Sequence, residues 1–169
     1  MIKVLGAILV IAAGGCVGLI LASNYKNQVR TLRQFLFSLE HMNSELQFHL
    51  TPLPELCRHM AEITSGCLSD FYCNLASELE SQVLPDAASC VNAVLSVRRD
   101  LPSYTREMLH ALGVTLGRFD LNGQLKDIEL LHQQCLQKLT NLVTEQDRRI
   151  RNYQAFGLCT GAALAIVLI

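Results

Sequence analysis

Residues 25–50, YKNQVRTLRQFLFSLEHMNSELQFHL, decide the fold. Val29, Leu32, Leu36, Leu39, Leu46 and Leu50 recur at steps of three, four, three, seven and four, and Asn43 stands at the position skipped in the seven. Such steps place apolar side chains on one stripe of a helix, so the spacing predicts a helix from about Tyr25 to His49 that buries this stripe. Asn43 has two readings. It either sits in the seam, where a polar residue fixes register, or lies at the edge of the stripe.

Upstream of this helix, Val4 to Ala22 contains no charged side chain, and at the other end Tyr153 to Ile169 contains none. About 18 uncharged, mostly apolar residues suffice to cross a bilayer as a helix. The first run clears that length. The second, at about 1.5 Å per residue, spans about 25 Å and needs local thinning or a partner helix. The expected organisation is a transmembrane helix over residues 1–23, a helical domain over 24–152 and a second transmembrane helix over 153–169.

Charge separates the ends from the middle. Of the 14 Lys and Arg only Lys3 lies outside residues 24–152, and all 15 Asp and Glu lie inside, so the middle carries 13 basic and 15 acidic residues. A near-neutral domain offers no electrostatic case for nucleic acid. Lys26, Arg30 and Arg33 follow the first apolar run, and Arg148, Arg149 and Arg151 precede the second. The positive-inside rule then places the middle in the cytoplasm and both termini across the membrane. A secretory signal and a lipoprotein box at Ala13-Gly14-Gly15-Cys16 are rival readings of the first run. The run continues through Val17 to Ala22 beyond that cysteine, and Ala13 stands where such a box usually has a larger aliphatic residue, so an uncleaved anchor is expected.

Further helix starts follow along the middle. Thr51 is expected to cap a helix with Pro52 at its first position, carrying Leu53, Leu56, Cys57, Met60 and Ile63 and ending at Ser65-Gly66. Leu68, Phe71, Tyr72, Leu75 and Leu79 make the next apolar face. Pro85 opens a helix through Val91, Val94 and Leu95, and Pro102 opens one through Met108, Leu109, Leu112 and Leu116. After a break near Gly117–Gly123, Leu125, Ile128, Leu131, Cys135, Leu139 and Leu142 start a helix expected to continue into the second apolar run. No segment alternates like a strand. The expectation is all-α: a six-helix cytoplasmic bundle between two terminal transmembrane helices.

Two glycine patterns recur. Gly14-x-x-x-Gly18 and Gly157-x-x-x-Gly161 let membrane helices approach closely, and their matched depth suggests that the two spans pack together, within one chain or between copies. Gly113 and Gly117 permit the same approach inside the domain, and Asp120 is placed to cap the following helix.

Chemistry-bearing motifs are absent from the sequence. There is no GxxxxGK[ST] loop for nucleotide, no GxSxG, HExxH or paired-acid motif. The seven cysteines show no CxxC pair, and neither Cys57-x-His59 nor the five histidines show zinc-ligand spacing. No catalytic residue, cofactor or metal is expected.

Three blocks carry a family resemblance: Met1-Ile2-Lys3-Val4-Leu5-Gly6-Ala7; Arg30-Thr31-Leu32-Arg33 through Leu39-Glu40 and Glu45-Leu46 into Thr51-Pro52-Leu53-Pro54-Glu55; and Leu112-Gly113-x-Thr115-Leu116-Gly117-x-x-Asp120-x-x-x-Gln124. With the length and the two apolar ends, the chain resembles the stage III sporulation protein AB family of endospore-forming bacteria along its whole length. The resemblance implies a bundle similar to the cytoplasmic domain of the inner-membrane platform (F-type) protein of type II secretion and type IV pilus machines. It implies a setting in the mother-cell membrane surrounding the forespore, alongside a secretion-type ATPase from the same operon and other membrane components of the sporulation channel. Platform proteins carry two such domains and three spans, whereas this sequence carries one domain between two apolar ends.

The functional expectation is a non-enzymatic membrane scaffold, with the bilayer, the ATPase and a second copy of the chain as candidate partners and no nucleic acid. Thr51, Pro52, Leu53, Glu55, Gly117, Asp120, Gln124 and Lys126 are the candidate partner contacts, at the end of the bundle away from the membrane. Two alternatives stay open. One is a two-span regulatory protein with a ligand-responsive helical domain, which an open pocket of inward polar residues would favour. The other is an enzyme using Cys and His, which a hydrogen-bonded Cys–His pair would favour.

Overall fold

A computed structural model describes the backbone of residues 2–48, 51–98, 100–116 and 121–168, and the side chains of residues 20, 23–48, 51–98, 100–116 and 121–145. Six helices follow one another: α1 (Ile2–Phe48), α2 (Leu53–Ile63), α3 (Cys67–Ser81), α4 (Ala87–Val97), α5 (Ser103–Thr115) and α6 (Leu121–Leu168), with no strand among the described residues. The fold is all-α, as expected. The chain divides into two compact units, Arg30–Leu139 and the pair Met1–Val29 with Thr140–Ile169.

In the Arg30–Leu139 unit, α2 packs on α3, α3 on α4 and α4 on α5. Side chains close the rest of the bundle. Tyr72 on α3 donates to the Ser38 hydroxyl of α1 at 2.7 Å, and Ser38 donates onward to the Phe35 carbonyl at 2.7 Å. Lys138 on α6 lies over the Tyr104 ring of α5, 4.9 Å from its centre. The Cys135 thiol of α6 points at the Leu32 carbonyl of α1, 3.8 Å away, and His132 meets Glu40 at 3.1 Å. From Leu32 to Glu40 the partner on α6 moves from Cys135 back to His132, so the two helices run antiparallel.

The seam of α1 is buried as its spacing predicts: Val29, Leu32, Leu36, Leu39 and Leu46 are all under one-tenth exposed. The buried face is wider than the heptad reading. Phe35, Ser38 and Met42 are fully buried beside it, and Asn43 is only half-buried, which puts Asn43 at the edge. A two-stranded seam covers one line of a helix, whereas α1 here packs against α3 on one side and α6 on the other.

Several helix starts differ from expectation in their chemistry. Pro52, not Thr51, is the N-cap of α2, without a side-chain cap, and the Thr51 hydroxyl donates to Glu45 Oε2 at 2.7 Å. Pro85 does not open α4. Asp86 caps it, accepting from the Ser89 N–H at 3.0 Å, and hydrogen bonds from Ser89, side chain first and then backbone, hold its carboxyl below the ordinary value. Pro102 is the N-cap of α5 rather than its first residue. Gly66 stands between α2 and α3 with φ +67°, a conformation favouring glycine.

Gly113 supplies the close approach expected of it. A Cβ there would stand 2.8 Å from Val91 Cβ and 2.9 and 3.1 Å from its methyls, so α5 sits directly against α4. In the terminal unit, the Tyr25 hydroxyl of α1 donates to the Leu142 carbonyl of α6 at 2.8 Å. The expected transmembrane helices fall where side chains lie outside the described residues, and among the described residues no helix is long and apolar enough to cross a membrane.

Candidate functional site

The α1–α2 turn and the first turns of α6 carry the candidate partner contacts. The antiparallel run of α1 and α6 brings the end of α1, eight residues beyond Glu40, and the start of α6, eleven before His132, to the same end of the Arg30–Leu139 unit. Thr51 and Leu53 are half-buried there, while Pro52 and Glu55 are exposed. Lys126 is exposed on α6. Gln124 is only 7% exposed, so its side chain belongs to the interior of the bundle and offers little to a partner. Gly117 and Asp120 lie outside the described residues. Gly14, Gly18, Gly157 and Gly161 lie on α1 and α6 where the residues' surroundings are outside the described set.

Around the turn is a shallow depression of about 430 Å³ lined by Pro52, Pro54, Glu55, Arg58, His59, Glu62 and Glu80. Glu55, Arg58, His59 and Glu62 share one face of α2 through their three- and four-residue spacing. Glu80 comes from α3, held by Arg58 Nη2 at 2.6 Å. His59 Nδ1 stands 3.9 Å from Glu45, which joins Thr51, Glu45 and His59 in one surface network whenever His59 is protonated. Three carboxylates against one guanidinium make the depression acidic. The α2 residues were legible as the polar face of an amphipathic helix. Glu80 was not, because it is brought in by the packing of α3 on α2.

A second depression of about 460 Å³ lies between α4 and α5, lined by Asn92, Leu95, Ser96, Arg106, Glu107 and His110. Its guanidinium is already committed: Arg106 donates to the Leu95 and Arg98 carbonyls and so satisfies the last turn of α4. The inward polar residues a ligand pocket requires are not assembled there.

Three of the described cysteines, Cys57, Cys90 and Cys135, are buried as packing residues, while Cys67 is half-buried and Cys73 exposed. Cys57 and Cys135 are fully buried, and burial pushes each thiol up to about 12. A thiol held neutral is a poor nucleophile and a poor metal ligand. His59, two residues from Cys57, faces Glu45 rather than the thiol. No group of three or more His, Cys, Asp or Glu placed to hold a metal occurs among the described residues.

What these features define is an all-helical bundle with its distinctive chemistry on a surface and its first and last helices continuing into apolar ends. The profile of the stage III sporulation protein AB family matches residues 3–169, and the chain belongs to that family. It is 24% identical over 174 residues to the stage III sporulation protein AB of Bacillus subtilis (strain 168), covering 99% of each chain. A solved structure of a stage III sporulation protein AB superimposes with a TM-score of 0.62 at 20% identity, covering 72% of this chain and 98% of that one, and shares its fold.

Proposed function

We propose that this chain is a non-enzymatic, cytoplasm-facing membrane scaffold of the sporulation channel, anchored by both apolar ends and docking a secretion-type ATPase. The observation that carries the docking assignment is the antiparallel run of α1 and α6, which gathers the α1–α2 turn and the start of α6 at one end of the Arg30–Leu139 unit. The two long helices, α1 ending and α6 starting at that end, would pass a force from a docked motor to the bilayer. The sequence has no nucleotide-binding loop of its own, so the energy must come from a partner. Family membership and the resemblance to secretion platforms support a motor as that partner.

Glu55 and Lys126 are exposed, so reversing their charge should leave stability within about 0.5 kcal/mol. Glu55→Lys and Lys126→Glu should each sharply reduce recovery of the ATPase with the full chain from sporulating cells. Folded variants that recover it at the wild-type level place the docking surface elsewhere.

A further inference from the structure

Four described cations of the Arg30–Leu139 unit are engaged: Arg58 by Glu80, Arg98 by Asp70, Arg106 by two carbonyls and Lys138 by the Tyr104 ring. Lys26, Arg30 and Arg33 differ. All three are exposed, and no carboxylate among the described residues pairs with any of them. Their four- and three-residue spacing puts them on one stripe of α1, about 100° round the helix from Tyr25, Val29 and Leu32. Those three are buried, which sets the rotation of α1 and turns the cationic stripe outward.

The stripe begins where the uncharged run ends. At about 1.5 Å per residue, Lys26 stands about 6 Å past Ala22, Arg30 about 12 Å and Arg33 about 16 Å. A headgroup layer is about 5–8 Å deep, and charges interact over about 8 Å at physiological salt. Lys26 therefore reaches the headgroups themselves, Arg30 lies within screening range of them and Arg33 lies at its limit. We infer that this face of α1 binds the headgroups of anionic phospholipids, with a contribution that declines from Lys26 through Arg30 to Arg33. The inference rests on the first apolar run being embedded in the bilayer.

The full chain is reconstituted in phosphatidylcholine vesicles containing spin-labelled phosphatidylglycerol or spin-labelled phosphatidylcholine, and the fraction of each label immobilised at the protein is compared. The anionic phosphatidylglycerol label should be favoured several-fold, and the preference should fall as salt rises. About 1 kcal/mol per cation near the surface corresponds to about fivefold, so Lys26→Gln should remove most of one such factor, Arg30→Gln less and Arg33→Gln least, while Lys26→Arg retains the preference. Circular dichroism confirms that each variant is folded. Equal immobilisation of the two lipids, or a loss largest at Arg33, overturns the inference and leaves the stripe to a protein partner. Extraction of the wild-type chain from vesicles by alkaline carbonate separates the two readings. A chain that washes off overturns the spanning assignment and this inference with it, and a chain that stays embedded without lipid preference overturns this inference alone.

Discussion

The same two helices, α1 and α6, read differently in the two units of the molecule. Between Arg30 and Leu139 they are amphipathic, burying Leu32, Phe35, Leu39 and Met42 on one side and Ile128, Leu131 and Cys135 on the other, with charged residues facing out. In the terminal unit their sequences lose that asymmetry, and Val4–Ala22 and Tyr153–Ile169 are uncharged on every face. A helix with one apolar stripe needs protein on that stripe and water elsewhere, whereas a helix apolar all round needs an apolar surrounding on every side. The difference teaches that the two ends of the chain carry a different sequence pattern from the bundle, and their stability should respond to mutation differently from it.

The largest contrast should come from the aromatic core. Phe71 is fully buried and meets the Tyr72 ring edge-on at 5.5 Å. Phe71→Ala should cost about 3–5 kcal/mol, read as a lowered midpoint in thermal unfolding of the detergent-solubilised chain. A loss under 1 kcal/mol would mean that the Arg30–Leu139 unit is not held by this core.

Glycines sharpen the comparison. Gly113→Ala drives a methyl into Val91, and because the nearest atom is Val91 Cβ rather than a flexible tip, about 1–3 kcal/mol should be lost. Val91→Ala should restore only part of it, since the 2.8 Å contact remains. Gly14→Ala in the apolar run should leave unfolding of the bundle within about 0.5 kcal/mol. Equal losses at the two glycines would erase the distinction between the units.

Smaller effects follow from buried polar atoms. Tyr72→Phe removes the donor to Ser38 while Ser38 keeps its bond to the Phe35 carbonyl, so about 1 kcal/mol should be lost. The buried thiols set an alkaline limit. Cys57 and Cys135 are raised from about 9 to about 12, so the folded state holds protons that the unfolded state releases. Their stabilising contribution is complete below pH 9 and is lost between about pH 9 and 12. Cys57→Ala should flatten the fall in unfolding midpoint over that window, and an unchanged slope would assign it to other groups.

Much of the fold was legible because helix periodicity survives burial. Leu68, Phe71, Tyr72 and Leu75 were expected on one face and are all fully buried on α3. The helix ends were harder, since a boundary depends on the local backbone and on which side chain reaches the free N–H groups: α2 starts after Pro52, and Asp86 caps α4 where Pro85 was expected to open it. Ser38 lies beside the apolar seam, and its burial depends on Tyr72, which α3 brings to it. Gln124 shows the opposite limit. Its polarity and its place in a recognisable block suggest a contact, and packing draws it inward. At the proposed docking surface, Pro52 and Glu55 were accessible to sequence reasoning, while Glu80 required the tertiary packing of α3 on α2.

Everything proposed for function depends on which side of the membrane the bundle occupies. A reporter active only outside the cytoplasm, fused after Ile169 in one strain and inserted at Gly66 in another, tests this directly. Gly66 is exposed in the turn between α2 and α3, where an insertion should be tolerated. The account predicts activity from the Ile169 fusion and none from the Gly66 insertion, with both proteins present at equal levels. Activity at Gly66 and silence at Ile169 would contradict it, placing the bundle across the membrane from ATP and from the motor it is proposed to dock.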